Sequence, residues 1–437
     1  VWFSAIYLLL LISLIGCIVP RIVSHAKALR RQPPRVPARL DRLAAHASMT
    51  TSASAAEVSQ RAQQWLTSHR YRFVVDDDGS LRAEAGRHRE TGNLVFHIFL
   101  VFVLVGVGWN TLWGFKGTSV VVEGQGFSNS ITQYDEFKAG AMVDTDNLTP
   151  FSMKLRKFVV SFETGTVQRG AARSFDATVD LTMGGKTQTR DLQVNHPLRI
   201  GSTKVHLLGH GYAADVVVRD GDGKVAYSGP VVFLPQDANF KSVGVIKAPD
   251  ARPDRLAFQG FFLPTGAITA GGPTSLFPDA LNPQLYLTAW YGKPTVETGV
   301  PLNIYTLDTT GLTQVTNGKD KARFVLSPGQ RYKLPDGKGS IQFNGWQRWA
   351  KIQVSQNPGL PLTFLSVVLS VAGLCVSLFS RSRRVWVRTI PGDDGLRVEI
   401  GGLDRSDSRS GAVDDVNSLL AALHGDSMSG DVGEEHS

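Results

Sequence analysis

The 437-residue sequence contains only two cysteines, Cys17 and Cys375, and both lie inside strongly apolar stretches. A disulfide framework for the soluble segments is therefore excluded. No CxxC pair occurs, which excludes a thioredoxin motif and a zinc knuckle, and no CxxCH occurs, so the chain is not itself a c-type cytochrome. GxSxG, Walker A and suitably placed GxGxxG sequences are also missing. The sequence thus predicts no soluble catalytic constellation.

Long apolar runs are present instead. A helix needs roughly 20 apolar residues to cross a bilayer, and three stretches meet this need: 2–19, 92–115 and 361–379. The first lacks a basic leader and a small-residue cleavage site, so a transmembrane helix is favoured over a signal peptide. Because the chain begins without methionine, we expect a truncated N-terminus with one further helix missing.

The net charge of +8 is concentrated beside these runs. Arginine and lysine follow the first run over 21–42 and the third over 381–388, which predicts that both flanks are cytoplasmic. The second run then crosses outward, with Trp109 and Trp113 near the outer face, and the third returns. Topology determination is favoured over binding of the basic linker to anionic membrane lipid, although that lipid interaction stays open. Nucleic-acid binding is not predicted, because the charge is not spread over a folded face.

The expected fold class is an α+β membrane protein with transmembrane helices and a large extracytoplasmic antiparallel β-sandwich-like domain. Alternating polarity in the long middle segment indicates strands, and Gly184-Gly185 marks a hairpin. A cytoplasmic module should contain one helix and a hairpin, and the acidic tail should be disordered apart from one helix over 413–425. The predicted divisions are a transmembrane helix at 1–20, a cytoplasmic linker and module at 21–91, transmembrane helices at 92–115 and 358–380, the β-rich domain at 116–357, and the basic exit and acidic tail at 381–437.

Acidic and histidine motifs in the middle segment favour structural roles. DGDGK begins at Asp220, but the twelfth position of an EF-hand loop would be Val231 rather than glutamate, so a hairpin turn is favoured over a calcium loop. His206 and His210 lie four residues apart in a strand-like context, and a metal site is the less favoured interpretation. His196 is expected to be a hydrogen-bonded loop residue.

His97 differs because it lies inside the second apolar run. Polar residues within a membrane span are costly, which makes a functional role a leading hypothesis. A neutral imidazole is a good axial ligand for haem iron, but hydrogen bonding to a neighbouring helix or to interfacial water is an equally strong interpretation from the residue alone. Cys17 and Cys375 are expected at similar depth and could line a shared site, although helix packing is favoured for both cysteines.

An ordered set of segments resembles the ResB (CcsB) family of System II cytochrome c biogenesis. The set spans Trp2 to about Leu403 and consists of LLISLIGCIVPR, GNLVFHIFL, NHPL, GYAADVVVRDGDGKV, VVFLP, LPDGKGSIQFNGWQRW and RSRRVWVR. The resemblance implies that His97 is an axial ligand to a transient haem b on the inner side. It also implies a polytopic ResC (CcsA) partner that supplies a Trp-rich haem-handling loop, because no WWD-type motif occurs here.

The implied function is the export of haem and its attachment to CxxCH motifs of apocytochrome c outside the cytoplasm. The chain would act as a subunit of a cytochrome c synthase complex in the cell membrane and would be inactive alone. The alternative is a non-catalytic membrane scaffold or transporter accessory, in which the β-domain binds proteins and His97 is structural. No acid or base for thioether formation is assigned to this chain.

Overall fold

The fold is described from a computed structural model that covers residues 2–294, 305–392, 395–404 and 410–424. The chain divides into two compact units, one formed by Val1–Trp109 with Gly359–Ser437 and the other by Asn110–Pro358. In the described residues the α-helices are α1 (Trp2–Arg30), α2 (Ala55–Ser68), α3 (His88–Trp113), α4 (Leu360–Phe379) and α5 (Ser410–His424).

The strands of the described residues pair antiparallel throughout the named ladders. They are β1 (Ala45–Thr51), β2 (Arg72–Val75), β3 (Leu81–Ala85), β4 (Phe115–Val122), β5 (Gly126–Ser128), β6 (Glu136–Ala139), β7 (Ser152–Phe162), β8 (Ala172–Met183), β9 (Lys186–Gln193), β10 (Leu198–Ile200), β11 (Thr203–Arg219), β12 (Val225–Pro235), β13 (Ser242–Ala248), β14 (Arg255–Leu263), β15 (Gly266–Thr269), β16 (Gly272–Ser275), β17 (Gln284–Gly292), β18 (Leu312–Gln314), β19 (Thr316–Asn317), β20 (Asp320–Lys321), β21 (Arg323–Leu326), β22 (Arg331–Lys333), β23 (Ser340–Gln356), β24 (Arg383–Gly392) and β25 (Gly395–Asp404).

Three helices, α1, α3 and α4, are long and apolar enough to cross a membrane, judged by length and composition. The expected number of visible spans is therefore confirmed. Helix α1 continues beyond its apolar stretch, through Pro20 and on to Arg30. The extension is understandable because HAKALR is rich in good helix formers, and proline is tolerated within membrane helices. The end of the apolar sequence therefore does not coincide with the end of the helix.

Small residues let α3 and α4 pack closely. A Cβ added at Gly373 would lie 2.7 Å from the backbone nitrogen of Phe96, and one added at Gly92 would lie 2.6 Å from the carbonyl oxygen of Gly373. The Ser370 hydroxyl also donates to the Phe96 carbonyl at 3.2 Å. Such close backbone approach through glycine and serine is typical of helix pairs in membranes.

The small domain consists of α2, α5 and a five-stranded sheet in the order β1-β25-β24-β3-β2. The predicted helix and hairpin appear as α2, β2 and β3. The capping box formed by Ser54 and Glu57 begins α2, and Val58, Ala62 and Leu66 bury one face of the helix.

The predicted basic exit requires a correction. Residues 383–392 and 395–404 form β24 and β25 in the middle of this sheet, and α5 packs on it through Val416, Leu419 and Leu423. Buried side chains such as Val385, Val387 and Ile400 drive this ordering because their partners come from β1 and β3, far away in sequence. The predicted helix is present as α5, whereas 405–409 and 425–437 lie outside the described residues.

The β-region, defined here as Asn110–Pro358, contains a twelve-stranded sheet and a four-stranded sheet among its described residues. The long strands β11 and β23 pair along their whole lengths and form the centre of the larger sheet. Two large buried clusters support the β-region, one around Tyr212, Phe258 and Phe343 and another around Phe158 and Leu192. The β-rich character is as expected, and sandwich packing stays a prediction.

The turn predictions agree with the structure. Gly184 and Gly185, both at positive φ, connect β8 to β9 as a two-residue hairpin. Between β11 and β12, Asp220 turns the chain: its Oδ1 accepts from the backbone nitrogens of Asp222 at 3.0 Å and Lys224 at 2.9 Å. The carboxylate is therefore engaged in holding the turn.

Candidate functional site

His97 lies on α3 at a groove formed with α1. The groove has a volume of about 470 Å³. It is lined by one histidine, one cysteine, one arginine and otherwise small or aliphatic side chains: Leu10, Ser13, Leu14, Cys17, Ile18, Arg21, Leu94, His97, Leu100 and Leu104. This volume is within the range of about 300–1,000 Å³ that is common for cofactor and ligand sites.

A backbone contact fixes the orientation of the His97 ring. Its Nδ1 lies 2.7 Å from the carbonyl oxygen of Asn93, one helical turn earlier. A carbonyl can only accept, so Nδ1 carries the proton and donates it. In the neutral ring the lone pair is then on Nε2, which is the arrangement found in histidines that bind metals and are oriented by a second hydrogen bond.

Two polar contacts hold α1 against α3 on either side of this groove. The Tyr7 hydroxyl donates to the Leu104 carbonyl, and the Nε2 of His25 lies 3.0 Å from the Thr91 hydroxyl. On α1, the small side chains of Ser13 and Cys17 line the same groove as His97. The groove is therefore built by specific helix pairing, and its wall does not depend on a loop.

The structure separates the two cysteines. Cys17 lines the groove together with His97, whereas Cys375 lies on α4 and is not among the residues that line it. Both side chains are exposed in the described chain. His97 and Cys17 thus line one groove, and the packing role expected for the two cysteines stays a prediction.

A comparison with protein families identifies the chain. The family described as ResB-like matches residues 1–413. The chain belongs to the ResB-like family.

Curated relatives of this ResB-like chain carry one name, cytochrome c biogenesis protein CcsB. The protein from Synechococcus sp. (strain JA-3-3Ab) is 24% identical over 319 residues, which cover 72% of this chain and 55% of that protein. The protein from Picosynechococcus sp. (strain ATCC 27264 / PCC 7002 / PR-6) is 26% identical over 201 residues, 45% of this chain and 40% of that protein. The one from Trichormus variabilis is 23% identical over 410 residues, 92% and 73% respectively. The match thus spans about half the length of the first two relatives.

Arg21 is a groove residue of this ResB-like protein that the sequence did not single out. In the sequence, Arg21 belongs to the basic flank that follows the first apolar run. Arg21 follows Cys17 by four residues, one helical turn, so the two share a face of α1. That spacing was the available signal, and it places one positive charge at an otherwise uncharged groove.

The other histidine and acidic candidates lie on a strand, in a loop and in a turn. Among the residues that the structure describes, no group of three or more His, Cys, Asp or Glu side chains could hold a metal ion. His196 lies exposed in its loop, with Nδ1 3.3 Å from the Val194 carbonyl. His206 and His210 are both on β11, and burial lowers the pKa of each ring.

His210 is surrounded by aromatic rings in the β-region of the ResB-like chain. It is 8% exposed and stacks on Phe240 with ring centroids 4.6 Å apart. Nearby Arg348 is also buried; its Nη2 lies 2.7 Å from Asp279 Oδ1, and its guanidinium carbon is 5.0 Å from the centre of the Tyr212 ring. Burial first, and then the positive charge of Arg348, lower the pKa of His210 to about 4. His210 is therefore neutral near pH 7.

Proposed function

We propose that this ResB-like chain is a subunit of a membrane complex for cytochrome c biogenesis. The complex exports haem and attaches it to CxxCH motifs of apocytochromes c outside the cytoplasm. The family membership and the shared name of the relatives support the cytochrome c role. In this proposal the chain is part of a cytochrome c synthase and is inactive without its ResC (CcsA) partner.

The observation that carries the proposal is the orientation of His97 in its groove. Because Nδ1 donates to Asn93, Nε2 is the nitrogen with a lone pair available for the iron of a transiently bound haem b. The aliphatic lining suits the apolar porphyrin face, and Arg21 supplies a positive charge suited to a haem carboxylate. Haem is the cargo of the complex, and thioether chemistry is assigned to groups outside this chain.

The proposed topology follows from charge and chain order. Helix α1 ends at Arg30 and is followed by Arg31, and α4 is followed by Arg381, Arg383 and Arg384. Because basic residues beside membrane spans favour the cytoplasmic side, the small domain is assigned to the cytoplasm. One candidate span, α3, separates the small domain from the β-region along the chain, and α4 leads back. The β-region is accordingly assigned to the extracytoplasmic side, where it would meet apocytochrome c or the partner.

The test is the haem spectrum of the complex after replacement of His97 by glycine. We expect the low-spin haem content per purified complex to fall by about tenfold or more, since loss of an axial ligand removes well over 1.4 kcal/mol of binding free energy. Added imidazole should restore the spectrum by occupying the space left by the side chain. Optical spectroscopy and quantitation of haem per complex give both readouts.

His88→Gly is the matched control, because His88 is the first residue of the same helix and is exposed. It should keep the haem content of the unaltered complex. Full retention of low-spin haem in His97→Gly would contradict the proposal and favour the scaffold function, in which the contact with Asn93 merely satisfies the ring of a half-buried histidine.

A further inference from the structure

A second cavity, of about 490 Å³, lies where α1 ends, α3 begins and the chain leaves α4. Gly86, between β3 and α3, makes the close approach that shapes it. Gly86 has a φ of +75°, and a Cβ there would lie 1.7 Å from the carbonyl oxygen of Arg381. The Arg87 guanidinium also donates to the Leu29 carbonyl at the end of α1. Three chain segments therefore meet at this cavity.

The cavity is predominantly basic. Arg31, Arg87, Arg89 and Arg384 line it, against two acidic residues, Glu84 and Glu90. Glu84 is already engaged, with Oε1 3.5 Å from Arg87 Nε and 4.0 Å from Arg72 Nη1.

The remaining arginines leave positive charge available to a ligand. Within the described part of the chain, Arg31, Arg89 and Arg384 form no ion pair with a carboxylate. Glu90 is exposed and offsets only one of these charges. The arrangement suits an anion with several acceptor oxygens, because guanidinium groups bind phosphate through paired hydrogen bonds.

We propose that this cavity binds the phosphate group of an anionic membrane phospholipid. Its position at the ends of three candidate membrane spans is the depth at which lipid phosphates lie. Ala28, Leu29 and Pro34 line the same cavity and offer apolar contact to the glycerol and upper acyl carbons. Basic recesses between membrane helices on the cytoplasmic side are a recurring form of lipid headgroup site. The proposal is independent of haem binding.

The experiment is native mass spectrometry of the full chain in mild detergent with equal amounts of phosphatidylglycerol and phosphatidylcholine. We expect the unaltered chain to retain phosphatidylglycerol preferentially. Arg89→Gln with Arg384→Gln should lower that preference by about tenfold, since each arginine near a membrane surface contributes measurably to anionic lipid binding. Arg89→Lys with Arg384→Lys retains the charge and should keep most of the preference.

The matched control is Arg30→Gln with Arg42→Gln, which removes two charges from the same basic stretch without touching the cavity lining. This control should bind lipid as the unaltered chain does. Equal retention of both lipids by the unaltered chain, or an equal loss in the control, would overturn the proposal. Displacement of the lipid by millimolar inorganic phosphate would also overturn it, because the site would then recognise a free anion.

Discussion

His210 is expected to make the stability of the β-region depend on pH. Its pKa in the folded protein is lowered to about 4 by burial and by Arg348, whereas an unfolded histidine titrates near 6.5. As the pH falls below about 6.5, the unfolded chain therefore binds a proton that the folded chain does not bind until the pH approaches 4. The stabilisation is fully present above about pH 7, is lost as the pH falls towards 4, and changes no further below that value.

The size of the effect follows from the two pKa values. One pKa unit corresponds to about 1.4 kcal/mol, so the whole difference is about 3 kcal/mol. About 2 kcal/mol of the free energy of unfolding should be lost between about pH 7.5 and about pH 5. Hydrogen exchange of peptides from β11 and β23 in the detergent-solubilised full chain, corrected for intrinsic exchange rates, measures the loss in the region concerned.

The substitution His210→Phe isolates this contribution. Phenylalanine preserves a ring against Phe240 and removes both the titration and a buried Nδ1 that has no hydrogen-bond partner in the described chain. We expect a smaller loss of protection on acidification, by about 2 kcal/mol, than in the unaltered protein. His196→Phe, in an exposed loop, should respond to pH like the unaltered chain. The same acid response in His210→Phe and the unaltered protein would refute the assignment.

Two further substitutions test packing within the unit formed by Val1–Trp109 and Gly359–Ser437. Gly373→Val should separate α3 from α4 and lower the free energy of unfolding by about 1–3 kcal/mol, as overpacking commonly does. Thermal unfolding in detergent measures this loss. Gly16→Val is the control and should be near neutral, because a Cβ at Gly16 meets nothing within 4 Å. Asp415→Asn should loosen α5 at a cost of about 2 kcal/mol, because the carboxylate accepts from Arg383 Nη1 at 2.8 Å and from the Tyr71 hydroxyl at 2.6 Å. Limited proteolysis measures the release of α5, and unchanged cleavage would contradict this role.

Local patterns predicted the elements that local interactions determine. Helix α2 has its own cap and apolar face, and the turns at Gly184-Gly185 and Asp220 depend on residues within a few positions. Strands β1, β24 and β25 were missed because their stability comes from pairing between distant segments, such as Ala45 with Gly402. Strand β24 also begins with charged residues, so its sequence is difficult to distinguish from the basic flank although the strand is half-buried.

The candidate site was predictable only in part. His97 could be singled out because a polar side chain within an apolar run is costly, and its role as a haem ligand stays a prediction. Its tautomer follows from the contact with Asn93 on α3 itself. The presence of Cys17 in the groove and the exclusion of Cys375 depend on how α1 and α4 rotate around α3, which the apolar sequence alone does not specify. The position of Arg21 in the groove was not predicted, because arginine beside an apolar run is already explained by its role in membrane orientation.

The five-stranded sheet of the small domain has a consequence for the insertion of this chain into a membrane. Strand β3 precedes α3, whereas β24 follows α4, yet the two pair directly from Leu81 with Val387 to Ala85 with Arg383. The pairing requires β3 and β24 to be on the same side of a membrane, and in the proposed topology α3 and α4 cross it in opposite directions. In that topology, a molecule in which only one of the two helices crossed would hold β3 and β24 on opposite faces of the bilayer, so the sheet could be completed only after both crossings.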